Sequence, residues 1–109
     1  MPRFIVTGCY TAAAMKGMVA SPSNREAASA AIVEAAGGKQ EAFYMTTGET
    51  DFMIVVNIDD VSDLIAGLIA VGGSGAVSDL KTVRAFSSDE FTAMQKRAGE
   101  IAGSYKPPA

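Results

Sequence analysis

Apolar and polar positions along this chain follow two rhythms, one of period two and one near 3.6, and the switches between them predict its elements. Arg3 to Thr11 (RFIVTGCYT) is dense in β-branched and aromatic residues and predicts a strand. Thr11 to Ala20 reads as a loop with room for a short helical turn. The run Ser21-Pro22-Ser23-Asn24-Arg25-Glu26 opens a helix: Ser23 and Glu26 have the spacing of a capping box, and proline suits a helix entrance. Alanine-rich sequence carries that helix to Ala36, and Gly37-Gly38 stops it. Its inward face is mostly alanine, which predicts close approach to a sheet. Lys39 to Thr47 and Asp51 to Ile58 read as the second and third strands. The third is apolar on both faces from Met53 to Val56, as in a central strand covered on both sides. Asp59 and Asp60 cap a helix over 61–71 that is apolar nearly all round and so is expected to be buried on more than one side. Gly72-Gly73-Ser74-Gly75 ends it, Val77 to Phe86 is a fourth strand, and Ser87 with Glu90 forms a second capping box. The last helix reaches about Ala102, with Phe91, Met94, Ala98 and Ile101 as its apolar stripe.

The order is β-α-β-β-α-β with a terminal helix, the split βαβ or ferredoxin-like arrangement of the α+β class. One domain is expected over 1–104, followed by a loose tail at 105–109. Helices would cover one sheet face. A four-stranded sheet with a doubly apolar central strand would leave its other face adhesive, and two such sheets packed face to face in a homodimer would cover it.

Composition narrows the function mainly by exclusion. The chain has 109 residues and no histidine, which removes the usual proton shuttle, the Ser-His-Asp and Cys-His nucleophiles, and the commonest metal ligand. No metal site and no bound cofactor are therefore expected. A net charge of −3, with nine scattered Lys and Arg, gives no basic stripe for nucleic acid or an anionic membrane. No apolar run approaches the ~20 residues that span a bilayer. The single Cys9 makes no internal disulfide and is expected to be buried and inert; together with the absence of a signal peptide at Met1-Pro2-Arg3, it fits a cytoplasmic protein.

Several features admit two readings. Gly48-Glu49-Thr50-Asp51 stands between two strand-like runs, where glycine and aspartate serve a hairpin turn; Asp51 would otherwise sit at a barrel mouth as a ligand-orienting carboxylate or base. Gly72 to Gly75 lacks the Gly-Lys-Ser/Thr ending of a phosphate loop and runs from helix to strand, the wrong direction for one. Arg84, inside a strand, either pairs with Asp51 or Glu90 or binds a ligand carboxylate. Arg25, on a first helical turn, is expected to be solvated or paired across the dimer. Tyr10 and Tyr44 offer phenols on strands, with Met45, Met53, Thr46 and Asn57 as further wall of a pocket inside the barrel or between sheet and helices. The acids Asp59, Asp60 and Asp63 are accounted for as helix caps.

Taken together these motifs resemble the GYD-domain family: Tyr10-Thr11, Gly17, Ser21-Pro22 to Arg25, Gly37-Gly38-Lys39, Phe43-Tyr44, Gly48-Glu49-Thr50-Asp51, Asp60, Thr82, Arg84-Ala85-Phe86 and Glu90-Phe91, in that order. The chain departs from the family at Thr50, where the family's eponymous tyrosine would stand, and at Asn57-Ile58-Asp59, where an acid and a proline are usual. The resemblance implies the dimeric α/β-barrel form of the ferredoxin-like fold and no settled activity. The candidate ligand-binding set is Tyr10, Tyr44, Asp51 and Arg84, serving a small carboxylate or aromatic ligand. Three functions compete: a small-molecule-binding or sensing homodimer; a cofactor-independent isomerase or oxygenase with Asp51 as base and Tyr44 or Arg84 steadying an enolate; and a protein whose apolar surfaces serve only oligomerisation.

Overall fold

In a computed structural model describing residues 1–108, the chain folds as β1 (Arg3–Tyr10), α1 (Ala12–Ala20), α2 (Arg25–Ala35), β2 (Lys39–Met45), β3 (Phe52–Asn57), α3 (Val61–Gly73), β4 (Val77–Ala85) and α4 (Ser88–Ala102). The four strands form one sheet in the order β2-β3-β1-β4, every neighbouring pair antiparallel. This is the ferredoxin-like α+β arrangement that the hydrophobic pattern predicts, with the doubly apolar β3 in the interior of the sheet. Ala109 at the end of the expected tail lies outside the described residues.

Strand alternation gives the sheet two unlike faces. Phe4 and Val6 of β1 and Phe52, Ile54 and Val56 of β3 point to the helices and are buried; with Val33 of α2 and Leu64 of α3 they make the core. Gly8 continues this face, and the close cover over it requires glycine. A Cβ there would lie 2.6 Å from the Phe52 ring and 2.8 Å from Leu80 Cδ2. A bulge opposite, between Lys81 and Ser78, puts Asp79 at φ 53° in the left-handed region, which aspartate tolerates.

The second face is open. One row across all four strands reads Ala42, Val55, Ile5 and Val83, and the next reads Tyr44, Met53, Thr7 and Lys81. Tyr44 is 58% and Val83 57% exposed. At the end of this face Glu41, set in a bulge of β2, accepts from Arg3 Nε at 3.0 Å and from the Asn57 amide.

Three local expectations are corrected. Residues 12–20 form a full helix, α1, rather than a loop: Thr11 Oγ1 caps it by accepting from Ala14 N, and three successive alanines carry the first turn. The second helix begins one residue later than Ser23 would cap it. Asn24 is its N-cap, accepting from Ala27 N at 3.0 Å, so the Ser23–Glu26 box does not form. Helix α3 runs on through Gly72 and Gly73, and only Leu64 along it is buried; Ile69 is 69% exposed. Helix α4 keeps its Ser87–Glu90 capping box yet buries none of its residues, and Phe91 in its apolar stripe is 60% exposed. It stands away from the sheet, which explains extents of 64 × 30 × 22 Å and a radius of gyration of 18.1 Å. A chain of this length folded on itself has a radius near ~13 Å.

Candidate functional site

Small side chains open a cleft between helices and sheet. Helices α2 and α3 lie on one sheet face, and where they meet they present Ala28 and Ala36 on one side and Gly67 and Ala70 on the other. The alanine face of α2 therefore does not close down on the sheet as the sequence predicts. It leaves a cleft of about 280 Å³ floored by Val6, Phe43, Phe52 and Ile54. Leu64, Leu68 and Leu80 complete apolar walls, so whatever enters meets hydrocarbon on nearly every side.

Polar groups gather where β1 ends and α2 begins. The Tyr10 ring lies 5.0 Å from the Phe52 ring at a 40° tilt, and the Arg25 guanidinium carbon sits 5.8 Å from the Tyr10 centroid. Both Tyr10 and Arg25 line the cleft. Burial holds the Tyr10 phenol above its ordinary pKa; Arg25 acts against this and Asp51 with it, so at neutral pH Tyr10 is a protonated donor. Arg25 makes no ion pair among the described residues. Its Nε is buried and has no hydrogen-bond partner. Such a donor costs about 1–3 kcal/mol while it stays unmade. Gln40 Oε1 is the other buried side-chain atom without a partner among the described residues, and Gln40 is not part of the cleft wall.

The four residues expected to form one site are not brought together. Tyr10 and Asp51 are neighbours: Asp51 Oδ2 accepts from Tyr10 N at 2.9 Å, and Asp51 N donates to Gly8 O at 2.8 Å. Those bonds extend the β1–β3 ladder past its last paired residues. Tyr44 is on the opposite, open sheet face. Arg84 pairs across β4 with Phe4, six residues along β1 from Tyr10, or about 20 Å. It stacks on the Phe86 ring at 4.2 Å, donates to Arg3 O at 3.1 Å and approaches Glu90 Oε2 at 4.0 Å. Glu90, rather than Asp51, is thus its acidic neighbour, and Arg84 lies too far along the sheet to steady a species formed at Asp51 of the same chain.

The segment 48–51 is a hairpin connection. Gly48 takes φ 103°, Thr46 N donates to Asp51 O at 2.8 Å, and Thr46 Oγ1 donates to Thr50 O at 2.8 Å. Thr50, at the family's tyrosine position, belongs to this turn. Of the stretch 72–75, Gly72 and Gly73 close α3 while Ser74 and Gly75 make the turn, with the Ser74 hydroxyl donating to Val71 O and Gly75 at φ 80°. Asp60 caps α3, accepting from Ser62 N at 2.9 Å and from the Ser62 hydroxyl at 2.6 Å. Cys9 is half-buried, and its Sγ donates to Glu49 O at 3.2 Å. Among the described residues no cluster of acids and cysteine could hold a metal ion, and no helix is long and apolar enough to cross a membrane.

Arg25, which the sequence reading leaves in solvent or paired across the dimer, lines the cleft within the chain. A signal for this position is present: three and four residues on stand Ala28 and Ser29, so the helix gives this cation no acid in reach.

Comparison with solved structures recovers the fold. The crystal structure of MtbAldR superposes with a TM-score of 0.53 at 13% identity, covering 80% of this chain and 52% of that one, so this chain spans about half its length. FFRP-DM1 gives 0.46 at 17% identity, covering 79% of this chain and 100% of that one. TTHA0845 from Thermus thermophilus gives 0.44 at 21% identity, covering 81% of this chain and 96% of that one. No curated protein matches the sequence. The GYD domain model does match, over residues 4–94, most of the chain, and this protein is a member of the GYD domain family.

Proposed function

We propose that this protein is a small-molecule-binding or sensing module that works as a homodimer and takes its ligand in the cleft between α2, α3 and the sheet. The observation that carries this reading is the cleft itself. Its apolar walls enclose about 280 Å³ with Tyr10 and Arg25 converging at one end. A concave apolar site with a few polar groups converging on it is what a small-ligand pocket presents. The homodimer rests on the open sheet face, whose continuous row Ala42–Val55–Ile5–Val83 is apolar across all four strands. The unpartnered stripe of α4 adds a second surface in want of cover. A reducing cytoplasm suits the single, half-buried thiol.

Native mass spectrometry of the purified protein, followed by a thermal-shift screen of small carboxylates and aromatics, tests the reading. A dimer mass carrying a bound species is the expected result, as is a stabiliser whose effect is lost when the cleft is filled by Gly67→Leu. A bare mass with no stabiliser in the screen would leave oligomerisation as the function.

A further inference from the structure

We infer that the ligand class of this cleft is the compact apolar monocarboxylate: an anionic head held by Arg25 and a hydrocarbon or aryl tail lying between α2 and α3. The inference rests on the binding reading above and adds the ligand's charge, polarity and size.

The charge follows from Arg25. It is the cation of the cleft wall, it has no acidic partner among the described residues, and its Nε–H is buried without an acceptor. A guanidinium in that condition is improved by a planar anion, which accepts two parallel N–H bonds after a small rotation of the side chain. Arg25 is also the first residue of α2, so the positive end of that helix lies beside the head and favours the same sign. Tyr10 lines the same end and, being protonated, adds a neutral donor.

The number of charges follows from what the wall lacks. No acidic side chain belongs to it. Asp51, the carboxylate beside Tyr10, already accepts from Tyr10 N at 2.9 Å. An amino acid would bring an ammonium for which the wall holds no acidic acceptor, and a dicarboxylate a second negative charge for which it holds no second cation. Size follows from volume: about 280 Å³ is near the lower end of the roughly 300–1,000 Å³ of small-ligand pockets. Octanoate and short arylalkanoates are compact enough to lie in it.

Isothermal titration of the full-length protein with octanoate, 1-octanol and octylamine separates the possibilities. Octanoate is expected to bind saturably, 1-octanol about tenfold or more weaker, and octylamine weakest, since a charge-assisted hydrogen bond is worth at least a factor of about ten. Arg25→Gln should bring octanoate down to the level of 1-octanol while leaving 1-octanol unchanged. Gly67→Leu should abolish both; its first added atom meets Ile32 Cγ2 at 3.6 Å and Ala36 Cβ at 3.7 Å, ordinary contact distances, and an unchanged circular dichroism spectrum checks that the variant folds. Equal binding of octanoate and 1-octanol by the unaltered protein, or an octanoate preference that survives Arg25→Gln, would overturn the assignment of charge and leave the cleft a binding site. Failure of all three probes beside a bound species or stabiliser in the screen above would overturn the ligand class alone; failure in both experiments would overturn both readings.

Discussion

At the scale of single residues, the polar side chains of this protein are chiefly occupied with holding strand ends and helix starts in place. Asp51 ties the third strand to the first, Asp60 and Glu90 cap helices, and Glu41 clamps Arg3 to Asn57. Three of these carboxyls have pKa values below their ordinary ones. Glu41 is lowered first by its hydrogen bond from Arg3, Asp60 by the Ser62 hydroxyl, and Glu90 by the Ser87 amide. A carboxyl whose folded pKa lies below its unfolded one contributes stability that is present above the unfolded value and lost as pH falls through the folded value. Their ordinary values are 4.5 for Glu41 and Glu90 and 3.8 for Asp60. The melting temperature should therefore be flat in this respect near neutrality and fall once pH drops below about 4.5. Glu41→Gln should flatten part of that fall, and a scan of melting temperature against pH for the two proteins checks it. A variant curve parallel to the parent's would mean the Arg3–Glu41 clamp contributes nothing. All three groups are exposed, so adding salt to about 1 M should shrink the difference.

At the scale of elements, most of the fold is legible in the sequence, because period-two and period-3.6 patterns are long enough here to be unambiguous. What the pattern does not decide is which of two adjacent residues does the capping. Ser23 and Asn24 are both good caps. The folded chain uses Asn24, whose side chain reaches Ala27 N, while the Glu26 carbonyl is taken by the Ser29 hydroxyl and by Gln40 across on β2. Asn24→Ala should cost about 1 kcal/mol, a shift of several degrees in melting temperature for a domain this size, and Ser23→Ala should cost almost nothing. The reverse order would restore the Ser23–Glu26 box. Helix α1 is hard to read in advance because Thr11 continues the β-rich run of the first strand, although the same residue is the cap of the helix that follows. The cleft is illegible for a different reason. Alanine on a helix face permits close packing on a sheet and does not compel it; the opposing Gly67 and Ala70, far along the sequence, decide that the space stays open.

At the scale of the whole molecule, the chain presents more apolar surface than a lone domain keeps in water. The open face and the stripe of α4 are separate surfaces, and a two-fold pairing of sheets would cover the first. Val83→Lys, placed in the middle row of that face and across from Ile5, should turn a dimer into a monomer in size-exclusion chromatography with light scattering, with the fold retained in circular dichroism. A dimer that survives it must be joined elsewhere, with α4 the next surface to alter. The terminal helix has a consequence of its own. An isolated helix of its 15 residues is marginal in water, even with a complete capping box, since most helical stability in proteins comes from what the helix leans on. Its amide protons therefore exchange slowly only while a neighbour lies against Phe91, Met94 and Ile101. The far end of the chain would then act as a gauge of company: coiled loosely in a dilute protein, wound and shielded in an assembled one, while the sheet behind it stays the same in both.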